Sequence, residues 1–428
     1  MTNQALFLFF RNMTIFLATI MLVKYFIFLM FAASFSVTQA RRRLRVLKRE
    51  VKKHGALQPF NPLVSVIIPA WNEEVGVLKT MQSVLANRYK NIEIVVVNDG
   101  STDNSRQIVD SFIARHRRRK DLRPIRQIYI SSGGKGRALN IGIKRSKGEF
   151  VLTIDADSAL APDAVGNLVE HFRDPRVSAV VGNVRVANVH GRIIGQMQRL
   201  EYLFGFYFKR AHCVMGAEYI YGGACAAFRR ATTFEYFGYF DEKNKTEDIE
   251  MSMRTKYHGM RSIYAEDVIC YTEGASNYLA LINQRLRWKK GRFDTFLHYR
   301  RMFFSLDKKH NKFLGWFILP FALFSELQLI LEPIGATLLI TYSVLSGEFV
   351  SLALSMLFVG ISYFTVAVFG ERLTFKERAK LLVLWPFTWP LFYVVVWIEF
   401  HALIRGFHMV LRGDSLEWQK WQREGIEE

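Results

Sequence analysis

Cysteine is scarce in this chain and carries no pattern. The three residues, Cys213, Cys225 and Cys270, are odd in number and show no CxxC spacing, which argues against a disulfide framework or a zinc site and fits a reducing compartment. No internal repeat or low-complexity tract is present. Acidic residues are also in deficit, 38 against 58 Lys and Arg, a formal net charge of +20. That imbalance does not point to nucleic acid, because the basic residues cluster beside apolar stretches, where anionic lipid head groups attract each at ~1 kcal/mol. Arg115 to Arg126 is the exception, a basic stretch far from any apolar run that reads as a solvated loop.

What the chain has in abundance is hydrophobic sequence, half of its 428 residues, unevenly spread. Met13 to Phe35 is broken only by Lys24; Phe313 to Leu345 carries Glu326 and Glu332; Phe349 to Gly370 has no internal charge. Each is long enough to cross a hydrocarbon core of ~30 Å as a helix. Leu381 to Ile404 is interrupted by Pro386 and Pro390, and is either a further span or a re-entrant or interfacial element. The strongest charge follows the first run, from Arg41 to Lys53, rather than preceding it as in a cleaved signal peptide. An uncleaved anchor is the better reading, with the basic cluster and the polar region after it in the cytoplasm.

That polar region, Pro59 to Tyr278, has the pattern of an α/β domain. Val64 to Ala70 and Ile92 to Asn98 are short β-branched runs of the kind buried on both faces, and Val77, Met81, Val84 and Leu85 recur between them at helical spacing. This predicts a βαβ unit. Phe150 to Ile154 and Ser178 to Val186 add strands, giving a mainly parallel sheet whose ligand site lies at the carboxyl ends of its strands.

Acidic motifs stand where that topology is functional. Asn98-Asp99-Gly100-Ser101 ends the second predicted strand, Asp155-Ala156-Asp157 ends the third, and Thr246-Glu247-Asp248 opens a predicted helix. A DxD pair suits a hard cation such as Mg²⁺ or Mn²⁺ that also holds phosphate oxygens and stabilises a departing diphosphate. Two close aspartates by themselves are more often a turn or a cap; the apolar strand directly before them adds weight. Asp248 offsets a helix dipole, and the same placement keeps it ionised and able to accept a proton. In Gln284-Arg285-Leu286-Arg287-Trp288, helical geometry puts Gln284, Arg287 and Trp288 on one face, a phosphate fork beside an indole platform. An interfacial helix with Arg and Trp at head-group level explains the same pattern.

Taken together, VSVIIPAWNEE, VVNDGSTD, TIDADS, GGACAAFRR, TEDIEMSMR and QRLRW resemble the family 2 glycosyltransferases, specifically the processive membrane synthases of poly-N-acetylglucosamine, hyaluronan, chitin oligosaccharide and cellulose. The resemblance covers about Pro62 to Arg301 and implies a Rossmann-like GT-A domain inserted between transmembrane helices of the inner membrane. It implies that Asp99 contacts uridine, that Asp157 and Asp155 hold Mg²⁺ or Mn²⁺ and the diphosphate, and that Lys135 lies near the nucleotide or donor sugar. Gly222, Gly223 and Glu247 then belong to the acceptor side, with Asp248 as general base and Gln284, Arg287 and Trp288 closing over diphosphate and acceptor. Phe228, Arg229 and Arg230 match a family run of open role.

The implied organisation is an anchor over 1–40, a basic juxtamembrane segment over 41–58, the transferase domain over 59–278, an interfacial helix over 279–312, a membrane region over 313–411 and a tail over 412–428. The implied reaction is inverting, from a UDP-sugar, with UDP-GlcNAc favoured, to a growing β-linked polysaccharide. Transfer of one sugar to a membrane lipid is the alternative. Glu326, Glu332, Glu399 and His401, costly in apolar segments, are expected to line a sugar-wetted passage, assisted by Phe317, Phe321, Trp385 and Trp389; the alternatives are that the glutamates are protonated, pair with a Lys or Arg of another helix or lie at the interface, and that the aromatics form an interfacial belt. A second copy or a small membrane partner would complete such a passage.

Overall fold

The computed structural model describes residues 3–118, 123–187, 193–369, 373–384, 387–412 and 425. The two apolar runs at the start of the α/β region are strands β1 (Val64–Ala70) and β2 (Ile92–Asp99), parallel and in register from Val64 opposite Ile92 to Ala70 opposite Asn98. Every residue of β2 is buried, as expected for a strand covered on both faces. Between them runs α3 (Val77–Leu85), whose Val77, Met81 and Val84 are inaccessible to solvent.

The next strands are β3 (Ile125–Ile130), β4 (Phe150–Ile154), β5 (Ser158–Leu160), β6 (Val177–Val186), β7 (Cys225–Arg229) and β8 (Arg261–Thr272), in the sheet order β3-β2-β1-β4-β7-β6-β8-β5. From β3 to β4 the pairing is parallel, as it is between β6 and β8, but β7 runs antiparallel to both β4 and β6, and β5 antiparallel to β8. The sheet is therefore mixed, and the mainly parallel expectation holds for one half. Asp155-Ala156-Asp157 follows β4, whose neighbour is β1, so β1 separates it from Asp99.

Helices α4 (Ser105–Arg117), α5 (Lys135–Lys144) and α6 (Ala164–His171) cross between the early strands. The basic stretch expected to be a loop is divided. Its start belongs to α4 and its end to the edge strand β3, where the partly exposed Arg126 pairs with the buried Glu93 of β2 at 2.6 Å. Residues 119–122 fall outside the described residues. The basic cluster after the first apolar run is also helical. α1 (Asn3–Ala33) is followed by α2 (Phe35–His54), which lies against the α/β layer through Phe35 and Arg42, the latter within 3.2 Å of His171 Nδ1.

α7 (Ile193–Val214), α8 (Arg230–Phe237), α9 (Glu247–Tyr257) and α10 (Tyr278–His298) bring the chain to the apolar C-terminal part. There α11 (Leu319–Ser346), preceded by a π-helical turn at Leu314–Ile318, is joined by α12 (Val350–Phe369), α13 (Phe375–Leu384) and α14 (Thr388–Arg412). Among the described residues one helical stretch, Leu314–Ser346, is long and apolar enough to cross a membrane. A second, Val23–Ala33 with Phe35–His54, qualifies only as a pair bent by 41°. Large apolar side chains stand exposed along α1, α11, α12 and α14, among them Phe16, Phe26, Leu327, Val350, Leu354 and Phe407. Trp385, Pro386 and most of the tail lie outside the described residues.

Candidate active site

The site begins with the loop that joins β3 to α5. Both oxygens of Asp99 accept backbone N–H groups there, from Gly133 and from Gly134, each at 2.8 Å. Gly134 has φ +91°, a backbone conformation that side-chain-bearing residues resist. Asp99 thus fixes the turn that launches Lys135 at the first position of α5. On the other side, the loops after β1 and β2 are tied together: Asn72 Oδ1 accepts the Thr102 N–H, and Ser105 Oγ accepts that of Glu73. Thr80 Oγ1 donates to Ala156 O at 2.8 Å, holding the Asp155-Ala156-Asp157 turn against α3.

Lys135 is the centre of the charge cluster. Its Nζ lies 2.6 Å from Asp155 Oδ1 and 3.2 Å from Glu247 Oε1. Burial opposes its charge, yet Asp155, Glu247 and Asp248 outweigh burial and raise its pKa above the ordinary lysine value. A Cβ on Gly223 would stand 3.0 Å from Lys135 Nζ and 3.2 Å from Asp248 Oδ2, so the glycine lets the chain pass directly over the pair. Gly222 has room, with Val184 Cγ2 at 3.6 Å from an added Cβ. The Asp248 carboxyl is pushed up to about 6, by burial first and by Glu247 second, with Lys135 opposing. Its place in the first turn of α9 does not hold it low.

Asp157 is buried, and its Oδ1 accepts from Ser158 Oγ at 3.0 Å and Thr272 Oγ1 at 3.4 Å. Among the described residues no group of three or more His, Cys, Asp or Glu converges as a metal cage. The donors of Asp155 and Asp157 are all oxygen, which suits a hard cation that takes one or two carboxylates from the protein and the rest from phosphate and water. The residues present fit Mg²⁺ or Mn²⁺ held in that way.

α10 brings the remaining group. It is capped by Asn277, whose side chain accepts the Ala280 N–H at 2.9 Å. A Cβ on Gly291 would fall 2.0 Å from Thr246 Oγ1, and Asn244 Nδ2 donates to Thr295 Oγ1 at 3.3 Å, so this face of α10 lies directly on the residues that open α9. Gln284, Arg287 and Trp288 continue the same face one to two turns earlier. Gln284 is buried, and its Oε1 has no hydrogen-bond partner among the described residues; such a group ordinarily has one. Trp288 is half-buried under the Arg285 guanidinium.

Lys135, Asp155, Gly223, Glu247 and Asp248 are therefore brought together, while Asp99 reaches them through the Gly133-Gly134 turn. Gly291 carries a faint signal in the sequence, a glycine three positions after Trp288, and the structure makes it a close helix contact. Phe228-Arg229-Arg230 is a brace. Arg229 donates to Phe172 O and Val177 O over the Phe150 ring, and Arg230 to Gly148 O, Ile143 O and Ser146 Oγ. Of the costly polar residues in apolar helices, Glu326 pairs with Lys289 and Arg292, Glu399 with Lys289 and Arg285, and His401 with Tyr278 OH. The pairing alternative describes the two glutamates, while His401 meets a tyrosine.

Residues 65–237 match the Glycosyl transferase family 2 pattern. The chain belongs to the family 2 glycosyltransferases, and is an inverting enzyme of that class. It is similar to poly-β-1,6-N-acetyl-D-glucosamine synthase of Staphylococcus epidermidis, 30% identical over 380 residues that span 85% of this chain and 88% of that protein. The protein of the same name from Staphylococcus aureus strain COL is 31% identical over 251 residues, 57% of each chain. A solved mannosyltransferase from Pyrobaculum calidifontis in complex with GDP-Man and Mn²⁺ has the same fold, with a TM-score of 0.55 at 20% identity over 91% of this chain and 99% of that one.

Proposed function

We propose that the protein is a multi-pass membrane enzyme that polymerises UDP-GlcNAc into a β-linked polysaccharide, with its α/β domain on the cytoplasmic side. The observation that carries the chemistry is the convergence of Lys135, Asp155, Glu247 and Asp248 beneath Gly223. The choice of sugar and polymer rests on similarity to the staphylococcal synthases over most of both chains. Membrane insertion is supported by the apolar side chains exposed along four helices, which water would leave uncovered. The segments 1–40 and 313–411 would be embedded, 41–58 and 279–312 would lie at the interface, and 59–278 would form the transferase domain.

In this reading the donor diphosphate lies over Asp155 and Asp157, with uridine against the turn that Asp99 fixes. A divalent cation held by those two aspartates would neutralise the departing diphosphate as a Lewis acid. Lys135 adds a fixed positive charge beside the same oxygens. The acceptor's terminal hydroxyl lies near Gly222 and Gly223, within reach of Asp248, which removes its proton as the oxygen attacks C1 from the face opposite UDP. A base with a pKa of about 6 is ionised at neutral pH and still basic enough to accept that proton. Trp288 supplies a flat surface for the acceptor ring, and Gln284 and Arg287 hydrogen-bond sugar and diphosphate.

Purified full-length protein incubated with a panel of UDP-sugars and Mg²⁺ or Mn²⁺ should release UDP with UDP-GlcNAc and yield a ladder or an insoluble polymer. A single sugar on an organic-extractable lipid would overturn the polymer reading.

A further inference from the structure

Arg285 lies inside the QRLRW motif but is turned about 100° around the helix from Gln284. It is 4% exposed, and a guanidinium taken out of water is costly unless it is paired. Two carboxylates from different helices pair it: Glu201 Oε2 of α7 lies 2.6 Å from one terminal nitrogen, and Glu399 Oε1 of α14 lies 3.3 Å from Nε. The guanidinium carbon then stands 4.4 Å from the centre of the Trp288 ring. A guanidinium hydrogen-bonded by Glu201 and drawn by the Glu399 charge from a second side lies over the indole, a contact that favours one setting of the ring.

We propose that Arg285 is a positioning residue that sets the Trp288 ring for stacking against the acceptor sugar, and that Glu201 and Glu399 set Arg285 in turn. The proposal rests on the reading of Trp288 as the acceptor platform. It makes the packing of α7 and α14 against α10 a determinant of acceptor affinity and not of donor affinity. A purely structural Arg285 would tie the three helices together without regard to the indole.

The test uses the full chain in detergent, UDP-GlcNAc and a β-1,6-linked GlcNAc oligosaccharide, with UDP release followed as the oligosaccharide is titrated and UDP affinity measured separately. Arg285→Lys keeps a charge that can reach Glu201 but loses the planar face. Its acceptor KM is expected to rise about tenfold with UDP affinity unchanged. Trp288→Ala should show a similar rise, and Arg285→Lys combined with Trp288→Ala should be no worse than Trp288→Ala alone. Glu399→Gln, close in volume, should raise the acceptor KM in the same direction, again with no added effect in the Trp288→Ala background. Multiplying effects, an unchanged acceptor KM in both Arg285→Lys and Glu399→Gln, or a parallel fall in UDP affinity would overturn the inference while leaving a polymer-forming wild type intact. A wild type that transfers no sugar to the oligosaccharide would overturn the reading beneath it.

Discussion

Asp248 shows how a single side chain is tuned by its surroundings. The same burial and the same Glu247 neighbour that raise its pKa to about 6 also make its ionised form a cost to the fold. Its contribution to stability is complete below its unfolded pKa and is lost as pH rises through 6. Asp248→Asn should therefore melt higher than wild type at pH 8, with the difference gone below pH 4, while turnover falls by roughly 10²–10⁴-fold and UDP binding is kept. Wild-type turnover should decline as pH drops through 6, a limb absent from UDP binding. Thermal melts, a pH–rate profile and UDP titration check the three parts, and a variant that still turns over at the wild-type rate would remove Asp248 as the base. Asp157→Ala should abolish metal-stimulated transfer, read as loss of the response to added Mn²⁺ in chelator-stripped protein; full activity, or wild-type activity in excess EDTA, would dismiss the metal role.

Among the elements, α10 is the one on which the site depends, because it joins three structures at once. Its Gly291 rests on Thr246, with Gln284, Arg287 and Trp288 continuing that face, and its Lys289 and Arg292 reach Glu326 of α11. Gly291→Ala would put a methyl 2.0 Å from Thr246 Oγ1 and must displace α10 or the start of α9. Alanine is the better helix former by ~1 kcal/mol, so propensity alone would stabilise the variant. The expected result is a lower melting temperature and a loss of turnover that Thr246→Ser does not reproduce; an active, more stable Gly291→Ala would mean that the contact is loose. Glu326→Gln should weaken the same docking by leaving Lys289 and Arg292 short of one charge, with Lys289 still held by Glu399, so its effect should be the smaller of the two.

For the molecule as a whole, the exposed apolar surfaces of α1, α11, α12 and α14 are what the proposed membrane insertion would cover. Protein expressed in cells should stay with membranes after an alkaline carbonate wash and leave them only in detergent. Release by the wash would show peripheral attachment and overturn insertion. In proteoliposomes supplied with UDP-sugar only on the face bearing the α/β domain, polymer is expected to become protected from a glycosidase on that face if it leaves through this chain, and polymer wholly digestible there would show that synthesis and export are not coupled in this protein alone.

Local sequence was enough for the strands β1, β2, β4 and β6, for the acidic turns at their ends and for the helical face shared by Gln284, Arg287 and Trp288, since each follows from short-range periodicity. It was not enough for β3, an edge strand whose Arg126 meets the buried Glu93 of its neighbour, nor for the antiparallel β7 that separates β4 from β6. Charge partners were equally out of reach. Lys135 with Asp155 and Glu247, Arg285 with Glu201 and Glu399, and Gly291 with Thr246 are separated by 20 to 114 positions, and which residues meet depends on how strands and helices are ordered in space. The residue types to which the proposed chemistry is assigned were determined by the sequence itself, because a strand end, a helix start and a helix face are local objects. Their distances, the raised pKa of Asp248 and the pairing of the apolar helices' glutamates were decided by the tertiary structure alone, because burial and Coulomb interaction depend on neighbours brought together only by folding.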